Sequence, residues 1–178
     1  MSKQLIPFPF PKYLAEFLFS QMKSQPLEIA DSGDKVKALH VNQKNSFGKL
    51  IYSRLKESNR PAFEKDGYTL YISVSDHARR RNKTALDGRS RFLSLDEDEI
   101  EEIIAVFKDW FSTNLYHFIL AAEVTHKMNG KNKGAIHFAI NKFMELYNIS
   151  DSKTKFATFV KFYQRETEAK RQQLQRMT

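Results

Sequence analysis

Six cations crowd into the fifteen residues from His77 to Arg91: Arg79, Arg80, Arg81, Lys83, Arg89 and Arg91, against the single acid Asp87. Like charge at that density repels itself, and phosphates would relieve the repulsion while releasing their condensed counterions. Arginine adds forked donors that can grip one phosphate twice or read a guanine edge. A second basic set, Lys153, Lys155, Lys161 and Arg165, follows the turn sequence Asn148-Ile149-Ser150-Asp151. Both sets point to nucleic-acid binding through phosphates, with DNA favoured over RNA. The competing reading is a basic, solvated and inert surface.

Other chemistry finds less support in the residues. Asp96, Glu97, Asp98, Glu99, Glu101 and Glu102 could pair carboxylates or hold a divalent ion. Their spacing instead spreads them around one helical turn, where capping and the helix dipole already account for them. His117, His126 and His137 lack metal-ligand spacing, and no His-Glu-x-x-His pattern occurs. There is no phosphate-cradling glycine loop, nucleophile elbow or dinucleotide fingerprint. No catalytic residue, cofactor or metal is expected. The remaining route to catalysis is a composite pocket gathering His117, Glu123 and His126. Tyr71 could stack on a base, although a tyrosine in a strand more often covers the rim of a core.

These residues must be carried by identifiable elements. Pro7, Pro9 and Pro11 keep the first ten residues extended. A helix then starts with Pro11 at its first position, buries Tyr13, Leu14, Phe17, Leu18 and Met22, and ends before Pro26. Leu27–Ala30 and Val36–Val41 read as short strands around a turn at Asp31-Ser32-Gly33-Asp34. Ser46 can cap a helix through Leu55 that Gly48 weakens, with a strand as the competing reading. Tyr68–Ser75 alternates as a strand with Leu70, Ile72 and Val74 on one face. A second strand at Arg91–Leu95 would close a hairpin whose long loop holds the arginines.

Leu95-Asp96-Glu97-Asp98-Glu99-Ile100 carries a capping box, a hydrophobic staple and an acidic first turn, so a helix of about thirty residues is predicted to start there. A bend near Thr113-Asn114 is allowed. Another helix should cover Lys133–Tyr147, burying Ile136, Ile140, Phe143, Met144 and Tyr147. The last carries Phe156, Phe159, Val160 and Tyr163 and then loses its apolar stripe in a Gln- and charge-rich tail, read as frayed or solvent-exposed helix. The final two helices have the outline of a helix-turn-helix, with Asn148 accepting a left-handed conformation in place of glycine. Thr154, however, falls where that motif needs a buried aliphatic residue, and an ordinary helical hairpin fits equally.

Gly134-Ala135-Ile136, the run Phe143-Met144-Glu145-Leu146-Tyr147-Asn148-Ile149-Ser150, and Phe159 with Tyr163-Gln164-Arg165 resemble the C-terminal ends of uncharacterised phage and mobile-element proteins of Bacteroidetes-type bacteria. The resemblance covers roughly a quarter of the chain. It implies a DNA-binding or replication-associated factor and carries over no functional residue.

The composition of the 178 residues agrees with a folded protein. Hydrophobic residues make up 41%, fifteen of them phenylalanine, and there is no cysteine, which excludes disulfides, thiolate metal sites and a cysteine nucleophile. The N-terminus lacks the pattern of an export signal, and no apolar run has the length of a membrane span. A cytoplasmic location without membrane contact is therefore expected. Charge is segregated: residues 1–95 hold 17 Lys/Arg against 9 Asp/Glu, residues 96–129 hold 2 against 8, and residues 130–178 hold 10 against 4. The expected fold is α+β, with a basic α+β lobe over residues 1–95 and a helical lobe over 96–178, or both in one compact domain. The expected function is a non-catalytic nucleic-acid-binding accessory protein of a phage or mobile element. The alternatives are a helical protein-interaction or homo-oligomerisation module and an enzyme with a composite site.

Overall fold

The computed structural model describes residues 3–28, 35–42, 44, 46–58, 70–75, 92–130, 133–150 and 153–177. Their order is β1 (Lys3–Phe8), α1 (Lys12–Gln21), β2 (Leu27–Glu28), β3 (Lys35–Val36), β4 (Ala38–Val41), α2 (Ser46–Arg54), β5 (Lys56–Ser58), β6 (Leu70–Ser75), β7 (Phe92–Ser94), α3 (Glu97–Met128), α4 (Ala135–Leu146) and α5 (Lys153–Met177). Strands occupy the first half and helices dominate the second, so the fold is α+β. The chain divides into two compact units, Met1–Phe107 and Lys108–Thr178.

The first unit is organised by β6. This strand pairs antiparallel with β1, Ile6 facing Ile72, and parallel with β4, Leu39 facing the same Ile72. One sheet face therefore gathers Ile6, Phe8, Leu39, Val41, Leu70, Ile72 and Val74, all buried. The alternation in β6 predicts one buried face and one open face, yet Tyr71 and Ser73 are buried too. A central strand is covered on both sides, which removes Tyr71 from any role as a stacking platform. Pro7 is accommodated because β1 is an edge strand of this sheet, where one missing N–H costs no ladder bond.

The expected hairpin between β6 and β7 does not form. Both sides of β6 are taken, and β7 pairs instead with β5, Leu93 facing Glu57. The strand β5 shows no alternation in sequence. Gln4 bridges the two sheets: its amide donates to the Leu93 carbonyl at 2.7 Å and accepts from the Leu93 N–H at 3.0 Å, as a backbone peptide would.

Local signals explain most of the helix ends. Pro11 is the N-cap of α1 rather than its first helical residue. The helix stops at Gln21 because Lys23 turns left-handed (φ 48°), with Ser24 N–H bonded to the Phe19 carbonyl and Lys23 N–H to the Ser20 carbonyl. Asn148 (φ 51°) closes α4 in the same way: Ile149 N–H reaches Met144 and Asn148 N–H reaches Glu145, a Schellman motif that uses asparagine for glycine. Ser46–Arg54 is a helix and not a strand, and Gly48 lies where α2 meets the end of β4. A methyl group there would come within 1.5 Å of the Asn42 carbonyl oxygen.

The second unit packs α4 and α5 on the C-terminal part of α3. Phe111 meets Phe143 at 5.7 Å and Phe159 at 5.4 Å, and Phe118 meets Phe143 at 5.4 Å. Leu115, Ile119, Ala139, Ile140 and Ile149 complete this core. The helix α3 is continuous through Thr113 and Asn114. Among the described residues no helix is long and apolar enough to cross a membrane.

Two substitutions test the local accounts. Gly48→Ala should gain about 1 kcal/mol of helix propensity but lose about 2–3 kcal/mol by overpacking against backbone, so its urea midpoint should fall. Lys23→Gly should stabilise the fold by about 0.5–1 kcal/mol and raise the midpoint, because glycine adopts the left-handed region without the Cβ clash.

Candidate nucleic-acid interface

The interface that the sequence suggests has two parts, and only one falls on described residues. Arg79, Arg80, Arg81, Lys83, Arg89 and Arg91 lie outside them. The C-terminal set lies on α5, where Lys153 is the first residue.

The buried side of α5 determines where its cations point. Phe159 and Tyr163 are buried, with Phe159 against Phe111 and the Tyr163 ring 5.3 Å from that of Tyr116. The Tyr163 hydroxyl donates to the Glu123 carboxylate. Burial first, and this hydrogen bond second, push the Tyr163 hydroxyl far above its ordinary value of 10.0. At 100° per residue, Lys161, Arg165 and Arg176 fall within about 60° of one another on the side away from Phe159 and Tyr163. All three are exposed, and no ion pair neutralises them among the described residues. The line they form is about 22 Å long at 1.5 Å per residue.

Two residues of the expected set do not join this line, Lys153 at about 80° from Lys161 around the axis being one of them. Lys155 lies about 120° around the axis from Lys161 and is half-buried. Arg176 was not among the expected residues, because the tail, read as frayed or solvent-exposed helix, has no apolar stripe in sequence to orient its cations. The signal was available in the spacing: 161, 165, 172 and 176 repeat at helical intervals, Gln172 fills the gap, and one exposed acid, Glu168, shares this side about 20° from Lys161 and accepts from the Gln172 amide at 3.2 Å. The tail is helical through Met177 and largely exposed. Lys170, also in the tail, places its ammonium 3.4 Å from the centroid of the Tyr116 ring, a cation–π contact.

The helix-turn-helix outline is altered in one respect. Residues 147–152 separate α4 from α5, six instead of the expected four. The line of Lys161, Arg165 and Arg176 also begins more than two turns into α5, whereas a recognition helix reads bases with its N-terminal residues.

The acidic first turn of α3 is used within the first unit. Arg54 binds Glu99 and Glu102, and Lys56 binds Asp96 and lies 4.0 Å from Glu99. These hydrogen bonds raise the basicity of both cations. Each pair is at least partly open to water and individually weak, but together they tie α2 and β5 to α3.

Among the described residues, His117, Glu123 and His126 have different neighbours. Glu123 accepts from Tyr163, and the His126 ring lies 5.6 Å from Phe138. His117 lines a shallow cleft of about 250 Å³ with Asp109, Ser112, Thr113, Tyr116, Phe162, Glu166 and Lys170. Among the described residues no group of three His, Asp or Glu side chains is placed to hold a metal. Comparison with protein-family models, with curated proteins and with solved structures gave no match.

Because the folded protein holds the Tyr163 proton more tightly than the unfolded chain, this group's contribution to stability is complete below pH 10 and declines above it. Tyr163→Phe should cost about 1–2 kcal/mol at neutral pH by removing the bond to Glu123. It should also flatten the fall of stability between neutral and strongly alkaline pH, as followed by urea unfolding at a series of pH values.

Proposed function

We propose that this chain is a cytoplasmic, non-catalytic nucleic-acid-binding accessory protein of a phage or mobile element, and that it grips the phosphate backbone of DNA. The observation that carries this reading is the exposed side of α5 on which Lys161, Arg165 and Arg176 outnumber the single acid Glu168, set opposite a buried aromatic stripe. A helix side of this kind suits phosphate contact along its length, which positions a protein on a duplex without reading sequence. Arg79, Arg80, Arg81, Lys83, Arg89 and Arg91 supply a second cationic segment, and the sequence resemblance of the C-terminal quarter favours a DNA-associated role.

The test is a binding titration with single- and double-stranded DNA at several salt concentrations. Affinity for duplex should fall steeply with salt, and the triple variant Lys161→Ala, Arg165→Ala, Arg176→Ala should flatten the logarithmic slope by about 0.9 for every phosphate that is no longer neutralised. Replacing Arg79, Arg80 and Arg81 with alanine should flatten it further. Absent or salt-independent binding at about 50 mM salt would reject the proposal.

A further inference from the structure

The helix α3 is apolar on two sides in the second unit. One side holds Phe111, Leu115 and Ile119 and is buried. The other follows a heptad frame through positions 110, 113, 117, 120, 124 and 127, with Met128 beside the last, and every one of these residues is exposed. The apolar members are large: Trp110 is 36% exposed, Leu120 38%, Val124 50% and Met128 82%. A surface helix ordinarily carries a single apolar face, and apolar residues at 3-4 spacing form the seam on which two helices pack.

We propose that this seam pairs with the same seam of a second copy of the chain, the two α3 helices running antiparallel. The residues choose both the partner and the direction. In the register whose two-fold axis passes between Phe118 and Ile119, His117 packs against Leu120, Thr113 against Val124, and Trp110 against Lys127 and Met128. The His117–Leu120 layer thus sets a ring against a flexible side chain, Thr113 and Val124 are matched in size, and Trp110 meets the flexible Met128, whose sulfur packs on the aromatic edge. Charge supports the same register. Asp109, Glu166 and Lys170 line the cleft at one end of the seam and leave it one net negative charge, neither acid being in an ion pair among the described residues, and exposed Lys127 stands at the other end. Antiparallel pairing brings Lys127 of each copy to the Asp109 and Glu166 of the other. Parallel pairing would set Asp109 against Asp109 and Lys127 against Lys127.

The seam from Trp110 to Met128 is about 27 Å long at 1.5 Å per residue. A contact of that extent belongs near the small end of specific interfaces, so a dissociation constant on the order of micromolar is expected. The dimer needs no nucleic acid, so its test is separate from that of DNA binding.

Sedimentation of the full chain over a concentration series should show a monomer–dimer equilibrium. Leu120→Glu should shift it to monomer by roughly tenfold or more in dissociation constant, with a thermal midpoint unchanged at concentrations well below the wild-type constant, where neither protein is dimeric. The absence of cysteine permits a test of direction. A Thr113→Cys, Val124→Cys variant should cross-link into covalent dimers on mild oxidation, whereas Thr113→Cys alone should not, since the two 113 positions lie about 11 residues, or roughly 16 Å, apart along the pair. A chain monomeric at every concentration, a dimer indifferent to Leu120→Glu, or efficient cross-linking by Thr113→Cys alone would each overturn the proposal.

Discussion

The rotation of α5 about its own axis is the constraint on which the functional reading rests. Two contacts set it: the Phe159 ring against Phe111 and the Tyr163 hydroxyl on Glu123. The first is an apolar contact that tolerates sliding. The second is directional, and it joins a buried donor to a charged acceptor, the kind of bond whose removal leaves a desolvated group behind. Together they put the aromatic stripe inward and so commit Lys161, Arg165 and Arg176 to water. A helix turned by one residue would move each of these cations by 100° and bring a different set of polar residues outward. The position of charge on this helix is therefore a consequence of aromatic packing.

The helices were legible in the sequence because each carries its own boundary chemistry. The acidic start of α3, the left-handed Asn148 and the apolar period of α4 all act within a few residues, and the observed bounds lie close to those expected. Pairing between strands was not legible, since it depends on residues far apart in the chain. The pattern of β6 identifies a strand but does not say that both its edges are occupied, and this is why a hairpin to β7 was the natural inference. The strand β5 has three residues and no alternation, so nothing local announces it. Gly48 illustrates the same limit. Read locally it weakens α2, whereas in the fold its missing side chain is what allows the helix to approach Asn42.

For the candidate interface the division is similar. The basic residues are plain in the sequence, but their grouping requires the period of the helix and knowledge of which side is buried. Lys155 and Lys161 belong to one basic run and lie on different faces, while Arg165 and Arg176, eleven residues apart, share one. The acidic turn of α3 shows why sign alone misleads. Its carboxylates could have cancelled the cations elsewhere, and instead they are engaged by Arg54 and Lys56 from α2 and β5, residues that no local pattern singles out.

The second unit thus presents two exposed faces of opposite character. The seam of α3 carries tryptophan, leucine, valine and methionine with one threonine, one histidine and one lysine, and the outer line of α5 carries lysine, arginine and glutamine with one glutamate. That separation matters energetically. Three phosphate contacts alone support only weak, salt-sensitive association, in the range of non-specific binding at about 10⁻⁴–10⁻⁶ M. The apolar layers of the α3 pairing are little affected by salt, and only the Lys127 contacts at its two ends are screened by it. A dimer held by the α3 seam would place two α5 lines on one particle, and the second line would then meet the same nucleic acid at an effective concentration set by the geometry of the dimer. Weak contacts on one face become useful through apolar pairing on the other, which gives a physical reason for a single small helical unit to keep both.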